Sequence, residues 1–275
     1  MSKVLSKVYV ALILVFLYAP ILVLIVFSFN ESKSRSNFTN FTLKWYKELF
    51  HNDLIMTSLW NTLKVAVMAA ILATILGTFA ALGMNAMKKR ARSVCMNITY
   101  MPVINPEIVT GISMMLLFVF FCTTINNLFG KEGQTLVELG FWSVLIAHVT
   151  FCVPYVVLNV LPKLRQMDQN LYEAALDLGC NPLKSFFLVI IPEILPGITA
   201  GFLMAFTFSL DDFVITYFTN GPTFQTLPVT IYSMTRKKVN PQINALSALL
   251  FVVVLLLLIV MNIKQAKDLK AREEK

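Results

Sequence analysis

Six stretches of this chain are apolar over about twenty residues or more, and that feature decides most of what it can become. A bilayer core about 30 Å thick takes roughly 20 helical residues to cross. Runs of that length lie at about 8–29, 59–84, 94–122, 139–161, 194–218 and 243–263. In lipid a backbone must satisfy its own hydrogen bonds, so these runs predict six helices and an all-α membrane protein. The third run is the least regular, because Pro102 and Pro106 interrupt it. Composition agrees: 57% of the 275 residues are hydrophobic and only 14% are charged, against roughly 25% charged in a soluble domain. A cytosolic enzyme and a disordered chain are both excluded.

The basic residues predict the orientation. Fourteen Lys and Arg residues fall in the N-terminal segment, the 2–3 and 4–5 connections and the tail, and eight fall in the opposite set of loops. Lys88, Lys89, Arg90 and Arg92 carry most weight, since the rule works best on short loops. Both termini are therefore expected inside, with the net charge of +8 read as a signal of topology and anionic lipid. The first run follows Lys3 and Lys7 as a secretory signal would, but its 22 residues exceed a signal core of about 7–15 and no small-x-small cleavage site follows it. It is expected to remain as the first helix. The organisation predicted is residues 1–56 for that helix and its outer loop, 57–263 for a core of five further transmembrane helices with the connection at 162–193, and 264–275 for a cytoplasmic tail.

Metal chemistry has little to draw on. Cys95, Cys122, Cys152 and Cys180 form no C-x-x-C pair, and His51 and His148 are the only histidines, so no metal site and no catalytic residue is expected. His148 is expected to be a packed polar residue.

The connection at 162–193 is the most informative stretch. It is too short for a domain and too apolar for a solvated linker, and it predicts two short helices. Asn170 is placed to cap the first, with Glu173 at the capping-box position. Leu171, Ala174, Ala175 and Leu178 share an apolar face, and Gly179 suits a left-handed C-terminal cap. Asn181 and Pro182 then open a second helix, which Pro192 is expected to end. An Ala–Leu face of this kind fits either a docked partner protein or the lipid interface.

The residues here carry a resemblance. Glu173-Ala174-Ala175, then Gly179, then Val189, Ile191 and Pro192 resemble the EAA loop of permease subunits of ATP-binding-cassette importers, whose pattern is E-A-A, three residues, G, nine residues, I-x-L-P. Val189 and Ile191 depart mildly from it. The resemblance implies the fold of type I importer permeases (MetI-like) and a coupling helix docked on a cytoplasmic ATPase through Glu173, Ala174, Ala175 and Gly179. No G-x-x-x-x-G-K-[ST] occurs in the chain, so a phosphate-cradling loop is absent. ATP and Mg are expected on a separate subunit, and this chain is expected not to be an enzyme.

Ionisable side chains within spans are costly and commonly functional. Asp211 and Asp212 lie in the fifth run and Glu107 in the third, with no basic residue in either helix core. Carboxylates facing a path between helices would suit a cationic substrate, and Phe213, Tyr217, Tyr155 and Trp142 could add cation–π attraction. Neighbouring residues on a helix point about 100° apart, so the two aspartates cannot face one pore unless the helix breaks. A structural reading stands beside this one. Ser209-x-x-Asp212 has capping-box spacing, and Asn105-Pro106-Glu107 reads as cap, first position and first-turn acid of a restarted helix.

The segment 209–216, followed by Asn220-Gly221-Pro222, Thr226-Leu227-Pro228, Ile231-Tyr232 and Asn240-Pro241…Asn244-Ala245, resembles the polyamine branch of that family, the C-type permease subunits of spermidine/putrescine importers. The resemblance runs through nearly the whole chain and is weakest at 31–61. It implies residence in a bacterial inner membrane, a B-type permease as second subunit, two copies of a cytoplasmic ATPase and an extracytoplasmic polyamine-binding protein. Import of another small organic cation or cofactor is the alternative within the family. A secondary transporter is the alternative outside it.

Overall fold

The computed structural model describes residues 3–32, 37–129, 137–168, 170–237 and 241–273. These are almost wholly helical: α1 (Lys3–Ser28), α2 (Lys44–Phe50), α3 (Asp53–Ala86), α4 (Lys89–Ile104), α5 (Glu107–Phe129), α6 (Phe141–Gln166), α7 (Asn170–Asp177), α8 (Pro182–Ser185), α9 (Ile191–Asp211), α10 (Val214–Thr219), α11 (Leu227–Lys237) and α12 (Pro241–Glu273). The all-α expectation holds. Among the described residues five helices are long and apolar enough to cross a membrane: Lys7–Ser28, Asp53–Ala86, Glu107–Phe129, Phe141–Gln166 and Pro182–Asp211. A shorter apolar stretch, Pro241–Leu256, opens α12.

Two of the expected spans have different limits. The third run is split, because α4 ends at Ile104 and α5 starts at Glu107. Pro102 is accommodated inside α4, whereas Asn105 is extended (φ −66°, ψ 141°), as a residue before proline tends to be. Glu107 therefore opens a helix and does not sit inside one. The fifth span starts earlier and stops earlier than expected, at Asp211, with Phe218 carried by the separate α10.

Pro192 does not end a helix either. One π turn, Phe186–Ile190, joins α8 to α9, and within it the amide of Ile191 reaches back to the carbonyl of Phe186. Proline has no amide to donate and its ring presses on the carbonyl four residues earlier. Widening the preceding turn relieves that pressure without breaking the helix.

The chain divides into two compact units, Ser58–Thr230 and Met1–Thr57 with Ile231–Lys275. In the second of these α1 packs against α12, as does α2. The loop after α1 is organised on buried Asn30, which accepts from the amide of Thr39 (2.9 Å) and donates to the carbonyl of Asn37 (2.8 Å). Trp45 Nε1 donates to the carbonyl of Asn30 at 2.7 Å. The unit Ser58–Thr230 centres on α6, whose main partner is α9. A side-chain carbon at Gly77 of α3 would stand 2.6 Å from Val156 Cβ, and one at Gly201 of α9 would stand 3.1 Å from Val156 Cα. Small residues thus let both helices close on α6, the usual basis of helix packing where lipid removes the hydrophobic drive.

Candidate functional site

The connection between α6 and α9 builds α7 from local signals. The Asp168 carboxylate accepts from the amide of Asn170 at 3.0 Å, and the Asp168 carbonyl accepts from Leu171. The Asp168 carboxylate thus satisfies a backbone amide at the start of α7, and Asn170, expected as the cap, lies within the helix. At the other end Gly179 has φ +81°. The amide of Cys180 reaches the carbonyl of Ala175 (3.0 Å) and that of Gly179 reaches Leu176 (2.9 Å), the paired bonds of a Schellman cap. No atom lies within 4 Å of where a side chain at Gly179 would begin, so its backbone angle alone demands glycine. Asn181 then accepts from the amide of Leu183 at 3.1 Å with Pro182 at the first position, as expected.

Of the four residues assigned to coupling, Ala175 is buried while Glu173, Ala174 and Gly179 are exposed. Exposed apolar side chains stand around them. Leu178 is 86% exposed, and Leu171, Leu183, Phe187 and Leu188 are also open.

The second site is the bend that separates α9 from α10. Asp212 is extended (φ −61°, ψ 126°), and its carboxylate turns inward, where the side chain is 4% exposed. Oδ1 accepts from the amide of Ile215 (3.3 Å), and Oδ2 accepts from the amide and hydroxyl of Thr216 (both 2.8 Å). Asp212 thus caps α10. On α6, His148 is buried with Nδ1 2.7 Å from Ser209 Oγ and Nε2 2.8 Å from Thr216 Oγ1. Nε2 also lies 3.3 Å from Asp212 Oδ2. The expectation that any partner for this pair must come from outside its own helix is met by His148 of α6. Sequence reasoning read that histidine as packed and polar but missed its link to Asp212. The signal was Ser209, Asp212 and Thr216, spaced so that three polar side chains share one helical stripe.

The bend makes the two aspartates diverge. Asp211, the last residue of α9, is exposed and has no ion pair among the described residues. Tyr217 is also exposed, its ring 5.4 Å from that of Phe213. Glu107 is exposed at the start of α5, and α5 packs against α10. Tyr155 is engaged by Phe208 at 4.4 Å and Phe151 at 5.4 Å, while Trp142 is exposed. Elsewhere a cavity of about 340 Å³ opens between α4 and the end of α6, walled by Met96, Tyr100, Leu158 and Arg165. None of the three acids lines it.

The fold is that of solved ABC transporters. A bacterial transporter that imports the acidic polysaccharide alginate superposes with a TM-score of 0.72 over 94% of this chain and 92% of that one, at 15% identity. An amino acid ABC transporter with histidines gives 0.52 over 81% and 99%, at 20% identity. Residues 73–268 match the family of binding-protein-dependent transport system inner membrane components, and the chain belongs to that family. Its relatives include the putrescine transport system permease protein PotI of Escherichia coli K12, 40% identical over 86% of this chain and 81% of that one. The spermidine/putrescine transport system permease protein PotC of the same strain is 36% identical over 89% and 87%. PotC of Haemophilus influenzae is 32% identical over 92% and 93%.

Proposed function

We propose that this chain is one permease subunit of an ATP-driven importer and carries polyamines, spermidine or putrescine, into the cell. The observation that carries the reading is Asp211, an acid set at the edge of a helix break without an ion pair among the described residues, in a chain whose relatives include polyamine permeases. A flexible polycation calls for spaced carboxylates and aromatic walls. Asp211, Glu107 and Tyr217 supply them on this reading, and Asp212 keeps the bend.

Coupling runs through α7. Glu173, Ala174, Ala175 and the Gly179 cap offer a short exposed helix to a cytoplasmic ATPase, present in two copies, which binds the ATP and Mg. A second, B-type permease completes the path and an extracytoplasmic binding protein delivers substrate. Six spans with both termini in the cytoplasm fit the excess of Lys and Arg in one set of loops, and α12 supplies the sixth. The chain then comprises a first helix and loop (1–56), a core (57–263) and a tail (264–275), in the inner membrane.

The test is labelled spermidine and putrescine uptake into proteoliposomes holding the chain with its ATPase, second permease and binding protein. Uptake is expected only with the complete set and ATP on the ATPase side. Uptake by this chain alone on a proton gradient would make it a secondary transporter.

A further inference from the structure

Resting on the reading of Asp211 as an acid that meets the substrate, we infer that His148, Ser209, Asp212 and Thr216 form a polar staple that positions Asp211 and Tyr217. The staple acts through its hydrogen bonds and not through its bulk. These four are positioning residues, since all four are buried and reach the path only through their neighbours.

With a neutral His148 ring, the proton count gives the staple one arrangement. The single hydroxyl proton of Thr216 goes to Asp212 Oδ2. Its contact with His148 Nε2 at 2.8 Å therefore needs the ring to donate from Nε2. In a neutral ring Nδ1 is then the acceptor, and the Ser209 hydroxyl, 2.7 Å away, is its donor. One residue of α6 thus holds α9 through Ser209, the bend through Asp212 and α10 through Thr216. A second bond on α6 secures the far end of α10, where Ser143 Oγ donates to the carbonyl of Thr219 at 2.7 Å.

A six-residue helix is too short to hold its own shape, so its rotation about its axis comes from such bonds. With Ile215, Thr216 and Thr219 drawn inward, Tyr217 faces outward. With Asp212 drawn inward at the bend, Asp211 is left outward at the end of α9. Polar bonds suit this task, because an unpaired buried polar atom is costly and alternative rotations of α10 would unpair several at once.

Two substitutions at one buried position separate bonding from packing. Thr216→Val keeps the shape and loses the hydroxyl, whereas Thr216→Ser keeps the hydroxyl and loses a methyl group. The complete importer would be assayed in two ways. The first needs no substrate: the rate at which a membrane-impermeant maleimide labels Asp211→Cys, corrected for the same complex without that cysteine. Thr216→Val should change the rate about fivefold, the scale of one hydrogen bond, and Thr216→Ser should leave it within about twofold. The second is spermidine taken up per ATP hydrolysed, with and without Asp211→Asn. Thr216→Val should lower that ratio about fivefold on native Asp211 and add nothing beyond the loss caused by Asp211→Asn, since the two act through one group. Damage from Thr216→Ser equal to or greater than that from Thr216→Val would overturn the staple, as would unchanged labelling or a fully additive second loss. If Thr216→Val fails to assemble, Ser209→Ala removes only the α9 arm, and unchanged labelling in that variant overturns the inference equally. A native complex that moves no polyamine would remove the substrate reading alone, while the labelling comparison still decides the staple.

Discussion

The helix that carries Glu173 and the bend that carries Asp212 are built on opposite plans. Around α7 the shaping bonds are local. Asp168 accepts an amide at the start, Gly179 closes the end and Asn181 opens the next helix, each bond spanning at most five residues. Leu171 and Leu178 are left exposed. At the bend the cap bonds of Asp212 are local too, but the bonds to His148 span 61 and 68 residues, and the polar atoms point inward. On the coupling reading, α7 is shaped by its own sequence and keeps its contact side free for a partner. A buried bend has no water to satisfy it, so it must find polar partners on another helix.

That contrast can be broken at either end. The largest effect is expected at α7, where Glu173→Lys or Gly179→Asp should abolish transport and ATPase co-purification while the chain still inserts. Survival of both activities would show that α7 is not the coupling element. Next comes Asp212→Ala, which strips the cap from α10 and leaves His148 and Thr216 short of an acceptor. Losing one side of a buried pair costs about 3 kcal/mol, so the yield and thermal midpoint in detergent should drop markedly. An unchanged midpoint would mean the bend holds by packing alone. Asp211→Asn should be milder, lowering polycation uptake several-fold with the thermal midpoint preserved. The smallest change is expected for Leu178→Ala. At so exposed a position stability should stay within about 0.5 kcal/mol, while ATPase association measured by pull-down weakens.

The same contrast explains what the sequence could reveal. Gly179, Asn181 and Pro182 were legible because caps and left-handed turns are decided by nearby residues. Even there, Asp168 and Asn170 are both competent caps two positions apart, and the local pattern alone does not choose between them. Pro192 misleads because proline ends most helices, whereas one wide turn can absorb it. Both acid-bearing breaks were legible as one of two readings: Asn105-Pro106 as a restart, and Ser209-x-x-Asp212 as a cap. The structure keeps the break in each case and moves the detail, since Ser209 bonds to His148. No local rule links residue 148 to residue 212, and only the packing of α6 on α9 brings them together.

The π turn at Phe186–Ile190 has a mechanical meaning. Because it lets the helix pass Pro192 unbroken, residues Pro182–Asp211 form one rod about 45 Å long at 1.5 Å per residue. One end adjoins the Asn181 cap beside α7, and the other ends where Asp212 turns the chain. On the coupling reading, a tilt imposed at the Pro182 end would be carried along this one continuous helix to the acids at the other. The wide turn is also what spares the rod a kink. Deleting one residue within it would return the helix to regular α pitch and press Pro192 back on the turn before it, so that the rod would bend between α7 and the acids and the push would be lost on the way.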